Sequence, residues 1–237
     1  MTPEQWFAES NPDRLLAFVN PPPPFTYGQP QPTRPVPWAR ARRLMLFGCA
    51  CGRMVWDLLP TPLWNAIETR ERFADGRATE ADLRAAAVRT TWGAVTVKQH
   101  AANAAGGDPS EAARGAARAL AARAAGPAPP GHPVDRAWEA VWNATFHAAR
   151  ATQAAILRDI FPPPGYTPRL DPGWLTPTAV GVARHMDATG DFAAAPILAD
   201  ALQDAGCDDD ALLQCCRVPG GVHARGNWAA DLVLGRE

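Results

Sequence analysis

The sequence predicts an all-α protein: a single helical bundle-like body with a proline-rich N-terminal loop and a small C-terminal helical lobe. Three observations carry that expectation. Apolar residues recur at three- and four-residue spacing along several stretches. Thr, Asp or Asn followed by proline recurs where those stretches begin, as at a helix N-cap and first turn. No stretch alternates apolar and polar residues as a half-buried strand would. The chain has 237 residues, 47% hydrophobic and 20% charged, which is enough for one large domain or two small ones.

Thr2-Pro3-Glu4-Gln5 reads as a capped helix start, with Pro3 first and Gln5 placed to complete a capping box; the helix is expected to run to about Val19. Prolines crowd residues 20–37, which predicts an extended surface loop. Residues 1–37 thus form the first segment. Residues 38–59 are expected to be a buried helix, because Leu44, Phe47, Cys51, Val55 and Leu58 share one stripe and Met45, Cys49 and Trp56 a second. Pro62 starts the next helix, which ends near Gly76. Thr79 caps another, presenting Leu83, Ala87, Thr90, Ala94, Val97 and Ala101. Asp108-Pro109 opens a helix of alanine and arginine with little to bury. The strongest periodic signal spans about Val134 to Ile160, where Trp138, Trp142, Phe146, Ala149, Gln153, Ile156 and Ile160 fall on one face.

That helix closes a body of residues 38–160. Residues 161–237 form the C-terminal lobe, expected to pack on the body, since it is short for an independent core. Its helices are expected at about 177–188 (Thr176 cap), 192–205 and 208–216 (Asp208 cap). A last turn follows Asn227.

Composition excludes some classes. The formal net charge is −1, so no global field favours nucleic acid. No run approaches the ~20 apolar residues of a membrane span. Five cysteines without an export signal read as free thiols, and a cytoplasmic location is expected. Lys98 is the one lysine among 23 basic residues; with the abundant alanine and proline, this points to a GC-rich genome.

Candidate chemistry is sparse. Cys207, Cys216 and His223 are soft ligands close in sequence, and zinc is the metal they would hold. Their spacing matches no common zinc pattern. Cys49 and Cys51 project ~200° apart on a helix, so both cannot face one metal. Cys207 follows Gly206, where a helix stop places a small buried contact. A cysteine nucleophile would need His223 as base, with Asp231 or Asp200 to orient it. The run Asp208-Asp209-Asp210 reads as helix capping rather than a cation loop. For partner binding, the candidates are Trp38, Arg40, Arg43, Arg225 and Trp228. Arg40 and Arg43 also carry the case for phosphate contact, and tryptophans away from the apolar stripes are candidate interface anchors.

Several segments together resemble an uncharacterised family of helical bacterial proteins from GC-rich genomes. They are the M-T-x-x-x-W start, LMLFGCACGRMVW, ILRDIF, WLTPTAVGVA, ILADALQDAGCDDDALLQCCR and HARGNWAADLVLG. The resemblance implies that residues 1–237 form one unit, and it supplies no catalytic residues. Members of that family often carry a further cysteine where Gly52 stands here, which counts against an obligatory metal cluster on this helix. The expectation is a non-enzymatic protein-protein interaction, scaffold or accessory protein without a cofactor. A Cys/His metal site or enzyme in the C-terminal lobe is the first alternative, and an accessory nucleic-acid binder through Arg40–Arg43 the second.

Overall fold

A computed structural model describes residues 1–21, 37–87, 108–128, 135–218 and 221–236. Among these residues the chain is helical throughout and contains no strand. The expected loop across 22–36, the stripe residues Thr90 to Ala101, Trp92, His100 and His132 lie outside the described residues. The helices are α1 Pro3–Ala8, α2 Pro12–Val19, α3 Trp38–Arg53, α4 Thr61–Ala74, α5 Glu80–Ala86, α6 Pro109–Ala125, α7 Arg136–Ile160, α8 Pro177–Thr189, α9 Ala195–Asp204, α10 Asp210–Cys216 and α11 Trp228–Val233. No helix among the described residues is long and apolar enough to cross a membrane.

The start signals hold where local chemistry decides the matter. Thr2 and Thr79 close capping boxes with Gln5 and Asp82, and Asp108, Thr176 and Asn227 accept backbone N–H groups as N-caps. Several boundaries differ from expectation. The helix capped by Thr79 ends at Ala86, with Ala87 extended at ψ 111°, and the helix expected from 192 begins at Ala195 after a 3-10 turn at Phe192–Ala194. The first helix stops at Ala8 because Pro12 restarts the chain as α2, with Asn11 Oδ1 accepting from Asp13 N–H. The cysteine helix stops at Arg53, and a 3-10 turn at Trp56–Leu58 follows it. The cap of α10 is Asp209, not Asp208.

The chain forms two compact units: residues 1–9, 17–43 and 155–237, and residues 10–16 and 44–154. The expected divisions at 38 and 161 followed the proline breaks. The contacts instead divide within α2, α3 and α7, each of which contributes to both units.

In the second unit, Phe47, Cys51 and Val55 have no solvent exposure. The alanine helix α6 departs most from expectation, because Ala112, Ala113, Ala116, Ala117, Ala119 and Ala121 are all fully buried. Side chains this small let backbones approach closely; a Cβ built on Gly48 would sit 3.9 Å from Ala112 Cβ. What this helix lacks in apolar volume it recovers in contact. On α7, buried Gln153 accepts from Arg150 (3.1 Å) and donates to the Ala113 carbonyl (2.7 Å). Arg150 is also paired with Asp13 at 2.7 Å. The polar member of the α7 apolar stripe is thus satisfied inside the core. Further along that stripe, Trp138, Trp142 and Phe146 are only half-buried.

In the first unit, the core gathers Met186, Leu198, Leu202, Leu212, Cys216 and Trp228 from α8 to α11. Gly206, at φ 89°, ends α9 in the expected Schellman stop: Cys207 N–H reaches the Leu202 carbonyl at 3.0 Å and Gly206 N–H reaches Gln203 at 2.9 Å. Only a residue tolerant of positive φ can occupy that position cheaply. Cys207 follows it as a buried apolar contact, 4% exposed. Two ion-pair systems brace the unit. Arg42 of α3 grips Asp231 of α11, both buried, and Asp187 takes Arg225 and Arg236 together, each at 2.7–2.8 Å.

Candidate functional site

Side chains expected to face a partner or a metal are distributed differently by the structure. Trp228 is 1% exposed and packs on Tyr166 at 5.3 Å between ring centroids. It is a core residue, because α11 is too short to show its buried face by periodicity. Arg225 is committed to Asp187 through its side chain and backbone carbonyl. Trp38 and Arg40 are exposed and Arg43 is half-buried. Between them, Arg42 points into the protein and meets Asp231. Cys216 has no exposure, and His223 is turned toward Asp159. Cys207, Cys216 and His223 are not assembled as a ligand set; among the described residues no group of three or more His, Cys, Asp or Glu side chains is arranged to hold a metal ion.

What the structure does build around His223 was not legible beforehand. Asp159, in the last turn of α7, is 6% exposed. Its Oδ1 lies 2.7 Å from His223 Nδ1 and accepts from Asn227 Nδ2 at 2.6 Å, while Oδ2 accepts from Ala224 N–H at 2.9 Å. Burial pushes this carboxyl above its ordinary value, against the opposing pull of His223, Ala224 and Asn227. Because the carboxylate accepts, the His223 proton sits on Nδ1. Nε2 has no hydrogen-bond partner among the described residues. Asp159, rather than Asp231 or Asp200, is therefore the group that orients this histidine.

His223 and Asp159 line a cavity of about 360 Å³ within the first unit. Its walls are mainly apolar, from Trp6, Ala155, Pro163, Ala211 and Trp228. Phe7 (61% exposed), Val218 (52%) and Val222 (40%) also line it and reach solvent, so they form its rim. The polar lining adds Arg158, Gln214 and Cys215. Cys215 Sγ is 3.5 Å from Asn227 Nδ2. Burial, with Asp159 nearby, holds this thiol well above its ordinary value. A thiol held protonated is not an activated nucleophile.

The fold and cavity together define an all-α protein with a rimmed, mostly apolar pocket and a single charged end. No family model matches the chain, and no significant match is found among curated proteins or solved structures.

Proposed function

We propose that the chain is a non-enzymatic binding protein, of the interaction or accessory kind, whose recognition site is the cavity of the first unit with its exposed rim. The observation that supports this reading is the union of an apolar pocket with solvent-reaching Phe7, Val218 and Val222 at its edge. Preformed apolar pockets with few polar groups are where small ligands bind. Catalysis is less well supported. The thiol at the site is held protonated, and both oxygens of Asp159 are already spent on protein donors.

The test is a fluorescence titration of the full chain with N-phenyl-naphthylamine, a neutral probe that brightens in apolar surroundings. A saturable rise at one probe per chain, lost in Val222→Asp, supports the reading. A rise that never saturates, or one indifferent to that substitution, overturns it.

A protein partner covering the rim is the second reading. Among the described residues, every exposed large apolar side chain except Val141 belongs to the first unit, including Trp38 and Ile197. Large exposed apolar patches mark interaction surfaces. A partner cross-linked in the native host should be lost in Phe7→Glu and retained in Arg84→Glu, which alters an exposed residue of the second unit. The nucleic-acid reading keeps less support, because Arg42 is committed to Asp231 and Arg43 is half-buried.

A further inference from the structure

The polar end of the cavity offers hydrogen-bond donors left unused among the described residues. Arg158 donates through Nε to the Trp6 carbonyl at 2.9 Å and through a terminal nitrogen to the Glu9 carbonyl. Among the described residues no carboxylate lies within ion-pair distance of its guanidinium. Two of the five N–H groups of an arginine are thus engaged, each by a neutral acceptor. Partial burial lowers the Arg158 pKa, against the opposing pull of Glu9. Trp6, joined to it by that hydrogen bond, also lines the cavity. Among the described residues its indole N–H is buried without an acceptor. It lies beside a guanidinium with N–H groups to spare, both on one wall. The third group is His223 Nε2, on an imidazole already backed by a buried carboxylate.

The charges at this end decide the kind of acceptor. Arg158 carries a positive charge that Glu9 opposes from beyond ion-pair distance, and Asp159 is already spent on His223, Ala224 and Asn227. An acceptor that carries negative charge suits the guanidinium N–H groups left over. The rest of the wall is apolar: Phe7, Pro163, Ala211, Val218, Val222 and Trp228. The volume, about 360 Å³, is at the small end of ligand pockets, which run roughly 300–1,000 Å³.

We infer that the cavity binds a small free monocarboxylic acid with an apolar body, its head held by Arg158, the Trp6 indole N–H and His223, and its body lying against Phe7, Val222 and Trp228. The head group's carbonyl oxygen accepts from Arg158 and the Trp6 indole N–H, and its acid O–H donates to His223 Nε2. This rests on the cavity being a recognition site, and the test below separates failure of the two ideas.

The full chain is loaded with N-phenyl-naphthylamine and the probe is displaced by octanoate, octanol or octylamine, which share one apolar body. Octanoate should displace it at a concentration about tenfold or more below that of octanol, since charge-assisted hydrogen bonds are the strong ones. Octylamine should be the weakest. Arg158→Met should abolish the preference for octanoate over octanol. Trp6→Phe, which keeps the ring and removes the donor, should reduce the preference without abolishing it. Equal displacement by octanoate and octanol overturns the acid head group and leaves the cavity standing as an apolar site. Tighter octylamine binding overturns it in the same way. If the probe does not bind the unaltered chain at all, the recognition reading fails and this inference fails with it. The wild-type comparison needs no variant, so misfolding of Arg158→Met leaves the outcome decisive.

Discussion

The two units meet the same packing problem with different emphasis, although each buries both alanines and larger side chains, Leu46, Phe47 and Ile67 in the second and Ala179, Ala199 and Ala229 in the first. The second presses a helix of alanines into its core, and Ala112, Ala116 and Ala119 are fully buried there. The first builds its core from Trp228, Met186, Leu198 and Leu202. It also keeps an apolar pocket with a solvent-reaching rim. Small side chains give close backbone approach and leave little room for change. Large side chains bridge longer gaps, and gaps bridged by large groups can remain partly open. The difference teaches where binding can reside: recognition needs space, and the first unit keeps a cavity among its described residues.

The sharpest way to break that contrast is through the buried charges of the first unit. Arg42→Ala leaves Asp231 buried without its partner and should destabilise the chain by about 3–5 kcal/mol in urea unfolding. The counterpart in the second unit, Arg53→Ala, removes a bidentate pair with Glu71 whose arginine is 42% exposed. It should cost under about 1 kcal/mol. Near-equal losses would mean that burial does not set the value of these pairs.

Next in size is packing. Ala116→Leu inserts three carbons where no space exists and should destabilise by about 1–3 kcal/mol. A neutral result would show that α6 is not close-packed.

A property that the two units share should appear in alkali. Burial pushes Cys49 and Cys216 up to about 12, and Cys51 and Cys215 are raised as well. The folded state therefore holds protons that the unfolded chain releases above the ordinary thiol value. Stability from these groups is complete below that value and is lost as pH rises through the thiol range. Each contributes a slope of at most about 1.4 kcal/mol per pH unit. Melting temperature should fall from about pH 8 to about pH 11, and Cys51→Ala should flatten the fall. Unchanged slope in that variant would remove the thiols as the cause.

Much of the fold was legible because local chemistry writes it. Thr2, Thr79, Asp108, Thr176 and Asn227 cap the helices they appeared to cap, and Gly206 stops α9 as glycine at that position should. The burial of α6 was not legible, because alanine shows no periodic contrast and its value appears only when a neighbouring backbone comes close. The site was half legible. His223 stood out by its residue type, but its partner Asp159 lies 64 residues away in sequence and reads as an ordinary polar residue at the end of a helix. Trp6 and Arg158 carried no signal, since a donor left without an acceptor is visible only in three dimensions. Trp228 was misassigned to the surface because six residues of helix, Trp228–Val233, are too few to reveal which side is buried.

The central claim, that the first unit keeps its space for a ligand, is tested most directly by filling that space. Ala211 lines the cavity and is half-buried. Ala211→Leu should change unfolding free energy by no more than about 0.5 kcal/mol, yet reduce N-phenyl-naphthylamine binding at least tenfold, on the order of 1.4 kcal/mol of binding free energy. The same alanine-to-leucine exchange at Ala116 is the control that should do the reverse. If Ala211→Leu folds normally and binds the probe as the unaltered chain does, the cavity is not the recognition site.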